Sequence, residues 1–159
     1  MLGFWFADGY MRIEKSYRVV IVCGDKSILR QIRSAFSSSH PLKKRKEKGS
    51  YAPTWSLSLC SKYLYEQLQS LGGTRRKSLT LRWPKVPANY LADFVRGYFD
   101  GDGSVFFVTY IRTKDKRMTR ELRTNFTSGS RQFLEELMRV LNDQIDLPIK
   151  KISAYNNGS

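Results

Sequence analysis

Arg96-Gly97-Tyr98-Phe99-Asp100-Gly101-Asp102-Gly103 has a counterpart at the start of the chain, Leu2-Gly3-Phe4-Trp5-Phe6-Ala7-Asp8-Gly9. Each is an apolar stretch with helical character that runs into Asp-Gly. Gly3 and Ala7 lie four residues apart, as do Gly97 and Gly101. Small residues at that spacing share one helical face and let two backbones approach closely. Gly9 and Gly103 follow, where a residue in the left-handed conformation is expected to end each helix. If the two helices pack by their small faces, Asp8 and Asp102 come to lie side by side.

The repetition extends outward. Strand-like residues follow each Asp-Gly, then a short helix. Asp25 and Ser130 are the expected N-caps. Ile28, Leu29, Ile32, Ala35 and Phe36 recur at helical spacing after the first, and Phe133, Leu134, Leu137 and Leu141 after the second. Pro41-Leu42-Lys43-Lys44 and Pro148-Ile149-Lys150-Lys151 then match. The second copy is longer before its helix, which predicts a hairpin around Thr113 to Thr119. An internal duplication is the simplest account.

Lys15-Ser16 reads as a hairpin turn between two apolar runs. Residues 54–59 and 121–127 alternate with period two, which predicts strands with one buried face. A helix from about Ser61 carries Leu64, Leu68 and Leu71 and stops at Gly72-Gly73. The expected fold class is α+β: two tandem αββαββα repeats with antiparallel sheets, forming a pseudo-twofold saddle. The expected halves are residues 1–72 and 90–159, with 73–89, containing Pro84 and Pro87, as linker. The first copy begins barely two helical turns before Asp8. The second ends at Ser159 without a match for the strand at 54–59 or the helix after Ser61. A chain cut at both ends is therefore expected, its second repeat lacking a last strand and helix.

The chain has 159 residues, with 28 Lys and Arg against 14 Asp and Glu, a net charge of +14. The hydrophobic share of 41% argues for a folded core and against disorder. The apolar runs are too short for a membrane span, and no secretory leader is visible. Cys23 and Cys60 make neither a disulfide framework nor a zinc cluster, which fits a reducing compartment. His40 is the single histidine, which nearly removes His-paired nucleophile chemistry and multi-histidine metal sites. The excess is spread along the chain and includes four stretches: Lys43, Lys44, Arg45, Lys46 and Lys48; Arg75, Arg76 and Lys77; Arg112 to Arg123; and Lys150 and Lys151. Such charge favours a polyanion, since each neutralised phosphate releases counterions.

Two adjacent carboxylates at helix C-termini are unfavourable by themselves. Each opposes the helix dipole by about 0.3–1 kcal/mol, and the two repel each other. Something cationic must offset this, and hard divalent ions with oxygen ligands are the natural candidates. A metal with few protein ligands keeps waters and can take phosphate oxygens. A single Asp-Gly is most simply a turn. Two, at duplicated helix ends beneath a basic surface, point to phosphodiester hydrolysis.

At these residues the sequence resembles the LAGLIDADG homing endonucleases. The resemblance is strongest over Phe94-Val95-Arg96-Gly97-Tyr98-Phe99-Asp100-Gly101-Asp102-Gly103-Ser104-Val105. It extends to Arg76-Lys77-Ser78-Leu79-Thr80-Leu81 and Pro84 as connector, and it covers nearly the whole chain. In the first copy Phe6 stands where the motif's first acidic residue is usual. The resemblance implies a monomeric, single-chain pseudo-dimer whose motif helices form the interface through Gly3, Ala7, Gly97 and Gly101. It implies that Asp8 and Asp102 coordinate Mg²⁺, or Mn²⁺, at two scissile phosphates across the minor groove of a double-stranded DNA target. It makes Lys77 a catalytic residue that polarises solvent or stabilises the transition state. The product would be a double-strand break with short 3′ overhangs. Cys23 and Ser128 occupy matching positions just before the second helix of each half.

DNA contacts are then expected from Arg12, Glu14, Arg18, Lys43, Lys44, Lys46, Arg112, Arg123, Asn125, Lys150 and Lys151, to bases or phosphates. The family context implies a mobile intron or intein and an intracellular site, in bacterial or phage-host cytoplasm or an organelle. Two alternatives share the charge: an RNA maturase (with intron RNA as partner) or a non-cleaving relative, and a basic structural protein of a ribonucleoprotein.

Overall fold

The computed structural model describes residues 1–45, 52–75 and 77–154. Helix α1 (Leu2–Asp8) leads into β1 (Gly9–Ile13), β2 (Tyr17–Cys23), α2 (Lys26–Ala35), β3 (Lys43–Lys44), β4 (Trp55–Cys60) and α3 (Lys62–Ser70). The one-turn helix α4 (Lys77–Thr80) and a 3₁₀ turn (Ala88–Tyr90) precede α5 (Leu91–Asp102), β5 (Gly103–Ile111), β6 (Met118–Phe126) and α6 (Arg131–Ile145). The order α-β-β-α thus occurs twice, and the first time it continues β-β-α. The fold is α+β with antiparallel sheets, as expected.

Local chemistry explains the helix starts. The Asp25 carboxylate accepts from Ser27 N at 2.7 Å and heads α2. Ser61 Oγ accepts from Leu64 N at 3.1 Å and heads α3. Ser130 is buried; its hydroxyl accepts from Phe133 N at 3.3 Å and donates to Leu81 O at 2.7 Å, so one side chain caps α6 and pins it to the linker. The linker is more structured than a composition rich in proline and basic residues suggested. Leu81 and Pro84 are buried, and Trp83 N donates to Glu136 at 2.8 Å.

The first sheet has the order β1-β2-β4-β3, and the second is the hairpin β5-β6. Met11, Val19, Ile21, Leu57 and Leu59 share one face of the first sheet and are buried. Leu29 and Ile32 from α2, and Tyr65 and Leu68 from α3, cover that face. Trp5 and Phe6 of α1 and Phe94 and Tyr98 of α5 belong to the same core.

The period-two pattern of the second hairpin predicted a buried face, and here the structure differs. Val105, Phe107 and Leu122 are each more than half exposed, because no described residue pairs with the outer edge of β6 or covers this side of it. Lys150 and Lys151 lie in no strand for the same reason, whereas Lys43 and Lys44 form β3 by pairing with β4. The hairpin turn spans residues 112–117, so Thr119 belongs to β6.

The two motif glycines at the helix ends also differ from expectation. Gly9 (φ −99°, ψ 161°) and Gly103 (φ −93°, ψ 161°) are extended, not left-handed. What excludes a side chain is space: a Cβ on Gly9 would come 2.1 Å from the Trp5 ring, and one on Gly103 2.2 Å from the Phe99 ring.

Candidate active site at the helix pair

The two motif helices touch over their small faces. A Cβ on Gly3 would lie 1.9 Å from Phe94 O, and one on Gly97 would lie 3.0 Å from Phe4 N. Near the other end a Cβ on Gly101 would meet Ala7 Cβ at 2.4 Å and Asp8 Oδ2 at 3.2 Å. The Asp8 carboxylate therefore lies against the helix turn that carries Asp102. Gly3, Ala7, Gly97 and Gly101 are brought together as the spacing predicted.

Both carboxylates are half-buried. Burial, and then the charge of Asp102, push the Asp8 carboxyl up to about 6 from its ordinary value, against the pull of Lys77. Burial raises Asp102 as well, opposed by Lys77 and by a hydrogen bond from Tyr98. The sign of the linkage follows. Asp8 binds its proton more tightly folded than unfolded, so its stabilising contribution is complete below about pH 4 and is lost as pH rises through about 6. We expect metal-free Asp8→Asn to gain on the wild type across that interval and to hold a constant lead above it. Urea unfolding of both proteins from pH 4 to 7 checks this.

Lys77 is where the structure adds most. It lies on α4, is buried, and its ammonium donates to Ala7 O at 3.0 Å and to Phe6 O. It thus satisfies two orphan carbonyls at the end of α1 and sits 5.5 Å from the Trp5 ring centroid. Burial lowers its pKa to about 8, with both aspartates pulling the other way. Part of the offset expected from a metal is accordingly supplied by the protein. One ammonium against two carboxylates still leaves net negative charge. Lys77→Met should cost about 2–4 kcal/mol in chemical denaturation, because it strands two carbonyls and removes the cation between two acids.

Among the described residues no group of three or more His, Cys, Asp or Glu could hold a metal. The donor set is two carboxylates with raised proton affinity, hard oxygens that fit Mg²⁺, Mn²⁺ or Ca²⁺, with the remaining positions left to water or phosphate.

The sheets sort the predicted DNA contacts. Cross-strand pairing places Arg12 opposite Arg18, and Lys43 opposite Ser56, on the face away from the core. Arg12 Nη1 contacts Glu14 at 2.9 Å, its Nε has no hydrogen-bond partner among the described residues, and the side chain lines a groove with Thr74 and Arg75. Arg18 Nη1 reaches Ser58 Oγ at 3.4 Å. In the hairpin Arg123 and Asn125 share the corresponding face with Phe106 and Ser104, and Ser104 Oγ bonds Asn125. Lys44 is the exception: paired with Trp55, it falls on the opposite face. Glu14 lies past the end of β1, Arg112 sits in the hairpin turn 3.8 Å from Asp115, and Lys150 and Lys151 are exposed beyond α6. Lys46 lies outside the described residues. Phe106, beside Arg123 on this face, and Tyr98, whose hydroxyl donates to Thr127 O at 2.8 Å, were not singled out from the sequence because each fits the apolar pattern around it.

A family model described as a LAGLIDADG-like domain matches residues 89–156. The structure superposes on I-SmaMI bound to an uncleaved DNA target in the presence of calcium ions, with TM-score 0.62 and 14% identity, covering 99% of this chain and 74% of that one. The fold is that of the LAGLIDADG homing endonucleases. I-AabMI bound to uncleaved DNA is similar at TM-score 0.60 and 12% identity, over 98% of this chain and 74% of that one. I-LtrWI bound to target DNA gives TM-score 0.60 and 12% identity, over 92% and 70%. A segment is also 35% identical over 71 residues to a probable translation initiation factor IF-2 of Thermococcus kodakarensis, 42% of this chain. The chain spans only 5% of that protein's length. The residues matched by the family model include α5 and leave α1 outside. Among the described residues no helix is long and apolar enough to cross a membrane.

Proposed function

We propose that this chain is a site-specific double-strand DNA endonuclease of the homing type, acting as a monomeric pseudo-dimer with halves at residues 1–72 and 90–159. The observation that carries the reading is the contact of α1 and α5, which holds Asp8 beside the turn bearing Asp102. A protein that only bound nucleic acid would gain nothing from two carboxylates held at the expense of their solvation.

Asp8 and Asp102 are the residues that would hold Mg²⁺ or Mn²⁺. Bound there, such an ion would lower the pKa of a water and neutralise charge on a phosphate oxygen. The chain's own residues then have separable tasks. Gly3, Gly97 and Gly101 set the closeness of the two acids. Lys77 limits their repulsion and fixes the end of α1. Arg12, Arg18 and Lys43, with Arg123 and Asn125, present donors from the open sheet faces to bases and phosphates.

The test is incubation of the chain with randomised DNA duplexes and Mg²⁺, followed by sequencing of the new ends. Ends that converge on one sequence, and vanish on chelation, are expected. Selective duplex binding that yields no ends would favour the non-cleaving relative. Binding that vanishes with salt and shows no sequence preference would favour the ribonucleoprotein reading.

A further inference from the structure

Apart from aromatic residues, Lys77 and Ser130 are the polar or charged residues that are buried among the described ones. Both hold the same short stretch of linker, one to α1 and the other to α6. Lys77 opens α4 and donates to Phe6 O and Ala7 O at the end of α1. Ser130 heads α6 and donates to Leu81 O at 2.7 Å, one residue past the end of α4. Two more contacts from the second half flank that bond. A Cβ on Gly129 would come 2.5 Å from Ser78 O, so the backbone of α4 rests on the loop before α6. Glu136, on the second turn of α6, accepts from Trp83 N at 2.8 Å. The stretch from Lys77 to Trp83 is thus clamped to the second half while its Lys77 end reaches the first. A buried hydroxyl is costly unless its bonds are made, and Ser130 makes both, accepting from Phe133 N as well as donating to Leu81 O. The matched cap in the first half differs. Asp25 accepts from Ser27 N at the head of α2, and an ionised carboxylate has no proton to donate.

We propose that Ser130 is a positioning residue for Lys77: by tying the linker to α6 it holds the ammonium at the end of the helix that carries Asp8. The tie is separable from the helix cap, because one is a donated bond and the other an accepted one. For its effect on cleavage the proposal rests on the nuclease reading; the placement of Lys77 does not. A charge fixed by the fold needs no reordering at the moment of reaction, and a displacement of about 1 Å is enough to cost roughly a hundredfold in rate. The second half of the chain thereby sets the geometry at the end of the first motif helix.

Ser130→Asp gives α6 the kind of cap that α2 has and removes the donated proton, whereas Ser130→Thr keeps both bonds. Acetylation of amines in the metal-free full chain, read by peptide mass spectrometry, reports whether Lys77 stays buried, with the exposed Lys62 as reference. Ser130→Asp should raise the Lys77 labelling rate at least roughly tenfold, while amide exchange at Val19 and Ile21 in β2 changes by less than about threefold. Ser130→Thr should label at nearly the wild-type rate. Should Ser130→Asp not fold, Glu136→Leu releases Trp83 N instead and should expose Lys77 in the same way, with Glu136→Gln as its conservative partner. On a duplex recovered from the randomised pool, Ser130→Asp should lower kcat roughly tenfold and leave KM within about threefold. Labelling of Lys77 that is unchanged in Ser130→Asp and Glu136→Leu, that rises equally in Ser130→Thr, or that rises only in step with exchange in β2 would overturn the assignment. A chain that cuts no duplex defeats the nuclease reading instead, and the labelling still decides whether Ser130 holds Lys77.

Discussion

Gly3→Ala is expected to destabilise the protein by about 3 kcal/mol, although the same change in an isolated helix would stabilise it by about 1 kcal/mol. The new Cβ would stand 1.9 Å from Phe94 O, an atom of helix backbone that cannot swing aside. Relief requires α1 and α5 to separate, which loosens contacts around Phe4, Phe6, Phe94 and Tyr98 in the shared core. Gly97→Ala is the internal control. Its Cβ meets Phe4 N at 3.0 Å, a contact that a small shift accommodates, so about 1 kcal/mol is expected there. Urea unfolding midpoints would rank the two. Equal small effects would mean that the helices are not in backbone contact.

The second large effect is functional. Asp8→Asn and Asp102→Asn should each reduce cleavage at least roughly a thousandfold, about 4 kcal/mol in the barrier, while duplex binding persists. Asparagine keeps the shape and removes the charge that would hold a divalent ion. The same substitutions should raise stability without metal. Asp8 has its carboxyl pushed up to about 6, so at pH 7 the folded protein holds an ionised group it would rather protonate. Asp8→Asn removes that burden, for a gain of about 1–2 kcal/mol given its partial exposure. Lost cleavage with gained stability separates a site held in repulsion from a residue that merely supports the fold. A variant that lost both would place Asp8 in the second class.

Much of this was legible in the sequence because the duplication repeats its chemistry. Paired Asp-Gly ends, small residues four apart, and matched caps at Asp25 and Ser130 all point to the same arrangement. The misreadings have physical causes. Gly9 and Gly103 satisfy a left-handed rule and a lack-of-space rule equally well, and only the Trp5 and Phe99 rings show which applies. The face taken by Lys44 depends on register in a two-residue strand, where composition carries no information. Lys77 reads as one more charge in a basic run. Its burial on the end of α1 depends on a linker turn that its sequence, rich in proline and basic residues, did not predict. Tyr98 is hidden because its ring satisfies the apolar pattern while its hydroxyl bonds Thr127 O.

On the proposed reading Asp8 and Asp102 form one cation site. Its most direct test is substoichiometric Mn²⁺ added to the full chain with ¹³C-labelled aspartate carboxyls. The Asp8 and Asp102 signals are expected to broaden together at the lowest metal concentration, ahead of Asp93, Asp115 and Asp143, and Mg²⁺ is expected to reverse the broadening. Broadening of one without the other, or of neither before the surface aspartates, would contradict it.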